Sequence, residues 1–240
     1  EIFVRSTREN DILLLYDLET TGFSPAKHRI IEVSIRACYV TDESLEEYGH
    51  KTWYINPGTP LDQHIADVTG ITDDFLADKP REDEVIAEIM DYFDGQAVCG
   101  YNNTRFDDRF MENFCARNGY EWKPKESIDL YPVAQSLLRA DECENFKLET
   151  ITKFFGHDDK ISQFHNAEGD TMATELVFNS LMERALKENQ SKPGPGELKP
   201  ELVSVHYWSG RGAVSPRIYL ETEVGYEVVK FWIDPVTGIY

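Results

Sequence analysis

The sequence predicts an α/β fold: a mixed five-stranded sheet flanked by helices, with a small β-rich appendage at its C-terminal end. Three strand-like runs come first, within residues 12–55. Short apolar runs then alternate with segments of helical periodicity as far as residue 187. Near Gln190 the composition turns to proline and glycine, and β-rich sequence follows. Strands first, and then strands alternating with helices, are the order of a mixed sheet with helical layers.

Ile12-Leu13-Leu14-Leu15-Tyr16 is an apolar run of the length of a buried strand, and a turn follows at Thr21-Gly22. Residues 30–40 alternate and are β-rich, so they predict a second strand. Residues 51–55 predict a third, stopped by Asn56-Pro57-Gly58. The three together predict a meander whose first strand sits centrally. Residues 82–93 carry Val85, Ile86, Ile89, Met90 and Phe93 on one helical face. Residues 97–101 predict a short strand. Residues 105–118 predict a helix with Phe106, Phe110 and Phe114 four apart, and Gly119 is a C-terminal stop. A last short strand is expected at 127–130, and helices near 131–138, 147–155 and 167–187.

Residues 1–190 therefore read as one domain. Residues 191–200, Ser-Lys-Pro-Gly-Pro-Gly-Glu-Leu-Lys-Pro, read as a linker too rich in Pro and Gly for helix or central strand. Residues 201–240 read as a small β-rich module with strands at 203–208, 217–222 and 226–233. Tyr207, Trp208 and Arg211 beside glycines could form a stacking surface there, and a small structural β-unit fits the same residues equally well. The chain lacks an initiator Met and stops two residues after a turn at 234–238, which suggests a longer natural protein.

The net charge of −20 argues against a protein that grips a polyanion by its overall field. It leaves room for an enzyme whose positive charge is local and carried by metal ions. No apolar run approaches the length of a membrane span, and residues 1–7 show no apolar signal core, so no membrane partner is expected. None of Cys38, Cys99, Cys115 and Cys143 forms a C-x-x-C pair, which fits reduced thiols in a cytoplasmic protein.

Asp17 and Glu19 stand two apart at the end of the most apolar run, so a strand presents both carboxylates on one face. Close carboxylates in a partly dry place repel unless a cation neutralises them, and hard divalent ions such as Mg²⁺ or Mn²⁺ suit oxygen ligands. With 44 acidic residues, chance D-x-E triplets are expected, so placement is what singles this pair out. Asp107 and Asp108 open the helix that follows the polar turn at Asn102-Asn103-Thr104, where an acid also favours the helix dipole. Asp170 precedes Ala173 by three and Val177 by seven, which puts it on the inward face of the last long helix. Asn166 is a candidate N-cap for that helix, and His165 would lie on the loop before it.

Together these elements resemble the DnaQ-like (DEDDh) 3′-to-5′ exonuclease family, which includes the proofreading epsilon subunit of bacterial DNA polymerase. The resemblance rests on D-x-E-T-T-G at Asp17–Gly22, N-x-x-F-D-x-x-F from Asn103 to Phe110, and H-x-x-x-x-D at His165 and Asp170. Three motifs in order on the expected elements make a strong signal. Ile30-Ile31-Glu32, Asn56-Pro57-Gly58, Gly70-Ile71-Thr72-Asp73 and Phe146-Lys147-Leu148 are also family-like, and the similarity runs over roughly residues 10 to 187. Thr69 and Asn102 depart from the His that many relatives carry at those places.

The resemblance implies an RNase H-like fold and hydrolysis of terminal phosphodiester bonds of DNA or RNA, one nucleoside monophosphate at a time. It implies two divalent cations, Mg²⁺ or Mn²⁺, roughly 4 Å apart. Asp17, Glu19, Asp107 and Asp170 would be the metal ligands, and His165 the general base. Backbone near Leu18 to Thr20 would meet the terminal 3′-hydroxyl. Thr21, Phe23, Asn103, Phe106 and Phe110 are the further candidates for contact with the strand, the phenylalanines by stacking or wedging on terminal bases or else as plain core. Lys147, Lys153 and Arg105 would line the strand path or stand as solvated charges. The implied partners are single-stranded DNA or RNA 3′ ends and a polymerase or other protein. A catalytically silent nucleic-acid-binding or scaffold protein of the same fold is the competing class. An endonuclease of the wider RNase H-like group is a further alternative, but H-x-x-x-x-D is not its mark.

Overall fold

Leu13, Leu14, Leu15 and Tyr16 are each at most 3% exposed, the burial of a strand covered on both faces. They lie in β1 (Ile12–Thr20). The computed structural model describes residues 12–41, 44–139, 141–162 and 164–190, together with the strand backbones at 201–210, 213–224, 227–234 and 238–239.

Within the first part, β2 (Ile30–Val40), β3 (Leu45–Tyr54), β4 (Ala97–Gly100) and β5 (Glu126–Asp129) join β1 in one sheet of order β3-β2-β1-β4-β5. β1 pairs antiparallel with β2 and parallel with β4, so the first strand is central and the sheet mixed, as the sequence predicts. β3 starts six residues before the expected 51. Its first residues, Leu-Glu-Glu-Tyr-Gly-His, have little strand propensity. They are held instead by β2 and by Asn179, whose side chain donates to Leu45 O and accepts from Leu45 N.

Two short helices, α1 (Gln63–Thr69) and α2 (Asp73–Leu76), precede α3 (Glu82–Phe93). Neither is long enough for apolar periodicity to reveal it, and only the caps Asp62 and Thr72 mark them. α4 (Asp107–Arg117) begins two residues later than predicted and stops before Gly119, whose φ of 79° is left-handed. α5 (Leu130–Leu137), α6 (Leu148–Phe154) and α7 (Ala167–Gln190) follow.

The alternation of β1 sorts the helices. Leu14, Tyr16 and Leu18 pack with Val85, Ile89 and Phe93 of α3 and Phe110 and Phe114 of α4. Leu13 and Leu15 pack on the other face with Val133, Ile151, Val177 and Leu181 of α5, α6 and α7. With a period of two, Asp17 and Glu19 continue the Leu13–Leu15 row and face the α7 side. Arg36 of β2, 5% exposed, forms ion pairs with Glu47 of β3 and Glu175 of α7, which ties that helix to the sheet.

The C-terminal backbone forms a separate four-stranded antiparallel sheet, β6 (Glu201–Gly210), β7 (Ala213–Val224), β8 (Glu227–Asp234) and β9 (Gly238–Ile239), in that order. The three expected strands are present, the first two with longer bounds and the third shifted by one residue, and β9 is added. The expected linker at 191–200, Arg211, and the side chains of Tyr207 and Trp208 lie outside the described residues. Cys38, Cys99, Cys115 and Cys143 are free thiols. Among the described residues no helix is long and apolar enough to cross a membrane.

Candidate active site

The row that faces α7 ends in carboxylates. A ligand oxygen from each of Asp17, Glu19 and Asp170 lies within 4.8 Å of the other two. Asp170 reaches them from the first turn of α7, with its backbone N–H bonded to Asn166 O at 2.9 Å. Asp107, the first residue of α4, is 3% exposed and accepts a hydrogen bond from the Leu18 backbone N–H. It is also the strongest negative charge acting on Asp17. Four acids from β1, α4 and α7, 153 positions apart at the extremes, thus converge at one end of the central strand.

Burial and mutual repulsion disturb all four. Burial first, then Asp107, Asp170, Glu19 and Glu32, holds the Asp17 carboxyl well above the usual carboxylate range. Burial, with Asp170 next, pushes Glu19 up to about 8, and burial pushes Asp170 up to about 7. Asp107 is raised by burial, and the Asp108 charge adds to it. Asp107 Oδ1 and Asp170 Oδ1 are buried with no hydrogen-bond partner. A buried acceptor left unpaired is costly, and paired carboxylates without a counter-charge are costlier. An oxygen-only donor set with two orphaned carboxylate oxygens fits hard divalent cations.

The start of α7 is built for position. Asn166 Oδ1 accepts from Gly169 N at 3.1 Å, so Asn166 is the expected cap. Glu32, wholly buried opposite Glu19 in register, accepts from Ala167 N at 3.4 Å and Asn166 Nδ2 at 3.5 Å and is bonded to Tyr54. Burial pushes its carboxyl up to about 7. His165 sits immediately before, exposed, at a left-handed φ of 60°, and its backbone N–H bonds the Asp170 carboxylate.

Asp107 and Asp108 part ways. Asp108 accepts from Tyr16 Oη at 2.5 Å, Ser127 Oγ at 2.8 Å and Trp122 Nε1 at 3.0 Å. It braces α4 against β1 and β5 from behind the site.

Two of the candidate strand contacts are buried. Asn103 is 0% exposed, with its amide donating to Ser127 Oγ at 2.8 Å and its Oδ1 unpaired. Phe110 is 0% exposed in the core under the sheet, where the i, i+4 spacing from Phe106 and Phe114 puts it. Phe106 is half-buried between Phe110 and Phe23, and Phe23 is 81% exposed with its ring 6.5 Å from that of Phe106. Leu18 and Thr20 are buried, so only backbone is on offer there, and Thr20 Oγ1 donates to Gly22 O. Thr21 Oγ1 is taken by Arg29 N and His28 Nδ1. Arg105 and Lys147 are exposed, and Lys153 pairs with Glu149 at 2.6 Å.

The sequence marks Glu32 only as part of the family-like Ile30-Ile31-Glu32 and Asp108 only as an acid opening its helix, and assigns neither a role at the site. A charge inside the otherwise apolar stretch Ile30–Val33 is a further signal that marks Glu32.

A family model described as Exonuclease (RNase T) matches residues 14–178. The chain is 30% identical over 184 residues to a PolC-type DNA polymerase III of Oceanobacillus iheyensis, and 27% over 185 residues to that of Thermotoga petrophila. Those stretches cover 75% and 76% of this chain but 12% and 13% of the polymerases. Exonuclease I matches at 25% identity and a TM-score of 0.62, over 94% of this chain and 55% of its own. Escherichia coli exonuclease I in complex with a dT13 oligonucleotide matches in fold at 24% identity and a TM-score of 0.64, over 88% of this chain and 52% of its own. The chain thus spans about an eighth of these polymerases and about half of exonuclease I.

Proposed function

The chain belongs to the RNase T exonuclease family, and from that membership we propose that it is a 3′-to-5′ exonuclease that removes terminal nucleotides from single strands by a two-metal-ion mechanism. The observation that carries the reading is the convergence of Asp17, Glu19 and Asp170 within 4.8 Å, closed by Asp107. A binding scaffold has no need of four converging acids, one buried and three half-buried, two of them with an orphaned oxygen.

Asp17, Glu19, Asp107 and Asp170 would hold the divalent ions. Such ions, when bound, polarise the phosphoryl oxygen and acidify the attacking water. The rest falls to the chain's own residues. An imidazole nitrogen of His165 takes a proton from the attacking water, the role of a general base. The water oxygen bonds to phosphorus, the bond from phosphorus to the preceding 3′-oxygen breaks, that oxygen takes a proton from solvent to become the new 3′-hydroxyl, and the terminal unit leaves as a nucleoside monophosphate. Backbone at Leu18 to Thr20 meets the terminal 3′-hydroxyl. Phe23, exposed beside Phe106, stacks on the terminal base. The PolC-type relatives favour DNA over RNA as the strand and a polymerase as partner.

End-labelled DNA and RNA of matched sequence, incubated with Mg²⁺ or Mn²⁺, test this. A ladder shortening from the 3′ end and intact circles are expected. Asp17→Ala and Asp170→Ala should each lose at least about 10³-fold in rate, a scale set by the loss of metal-borne charge stabilisation. Cleaved circles, or unchanged hydrolysis by either variant, contradict the proposal.

A further inference from the structure

A second feature lies just beyond the acids. β1 ends at Thr20, and the loop after it closes on itself, with Thr21 N bonded to Arg29 O at 2.9 Å. That closure sets Lys27 and Arg29 at the rim of a depression of about 650 Å³, whose other walls include Gly58, Arg81, Glu82 and Arg117. Four cationic side chains and three carboxylates line it, in a chain of net charge −20.

The pairing inside the depression is lopsided. Arg29 Nε and Arg117 Nη2 both bond Glu82, each at 3.0 Å, so one carboxylate serves two guanidinium groups. The side chains of Lys27 and Arg81 are exposed and form no ion pair with the described residues, the Glu84 carboxylate accepting only from the Arg81 backbone N–H at 2.7 Å. The Arg81 guanidinium lies against Gly58, where a Cβ would fall 1.9 Å from Nη1. Asp62, a nearby acid, is occupied in capping α1 through His64 N.

We propose that this depression is a phosphate subsite, in which Lys27 and Arg81 hold the backbone of the same strand whose 3′ end lies among the carboxylates. The inference rests on the exonuclease reading and adds to it a grip away from the cleaved bond. An acidic protein repels a polyanion at long range, so local unpaired cations are what hold the strand. Phosphate oxygens are the shared chemistry of a strand and of a released mononucleotide, and the two sources are separable.

The test compares the unaltered protein with Lys27→Glu, Arg81→Glu and the double variant. Substrates are a 30-nucleotide single strand and a dinucleotide that reaches no further than the catalytic carboxylates. The KM for the long strand should rise roughly tenfold in the double variant, and the log–log salt slope should fall by about 0.7 per cation removed. The preference for long over short substrate should shrink accordingly. An unmoved KM for the long strand, or an equal loss on the dinucleotide, overturns the subsite. Weaker inhibition by mononucleotide with no change on the long strand overturns it in favour of a product site. A protein inert on both substrates before any substitution removes the exonuclease reading itself.

Discussion

Asp107 and Asp108 are neighbours with opposite surroundings. Asp107 turns to the acids, keeps one oxygen unpaired, and meets a backbone N–H at Leu18. Asp108 turns to the core and is paired with a phenol, an indole and a hydroxyl. Removing Asp108 strands one buried and two half-buried donors, so Asp108→Ala should cost about 2–4 kcal/mol in urea unfolding. Asp107→Ala should cost little stability and most of the activity. The motif distinguishes the two acids in the sequence. The partners of Asp108 do not show there, because Tyr16 and Trp122 lie 106 positions apart and meet only in the folded chain.

At the scale of elements, the junction between residues 164–166 and α7 brings a cap, an inward acid and an exposed histidine together. Its cap, its inward acid and its preceding histidine were legible, because helix periodicity and N-cap chemistry act over a few neighbouring residues. The brace beneath it was not, because Glu32 is brought there by the pairing of β1 with β2. The short helices α1 and α2 were missed for want of periodicity, and the early start of β3 for want of strand propensity. An exposed His165 at a left-handed backbone position is held by the junction, not by packing of its ring. His165→Ala should therefore leave the melting temperature within a degree or two, on the usual scale of surface changes. It should lower turnover roughly 10²–10⁴-fold, the usual worth of a general base. Single-turnover rates beside melting curves check both halves.

Taken as one molecule, the protein has gathered charge that its own fold does not neutralise. Unfolded, its carboxyl groups lose their protons near pH 4, on the ordinary scale. Folded, Asp170 holds its proton to about 7 and Glu19 to about 8. Between those limits the folded protein binds more protons than the unfolded chain, so stability without metal falls as pH rises from about 4 to about 8. Below that window the stabilisation is complete, and above it the loss levels off. A divalent cation that binds only the folded site restores stability by mass action, and most at high pH, where the carboxylates are ionised. The decisive measurement is the melting temperature at pH 5 and pH 8, with and without Mn²⁺, for the unaltered protein and Asp17→Asn. The convergence of acids predicts a lower melting point at pH 8 without metal, a rise on adding Mn²⁺ that is larger at pH 8 than at pH 5, and loss of most of that rise in Asp17→Asn. A melting point indifferent to Mn²⁺, or raised equally in the variant, would contradict it.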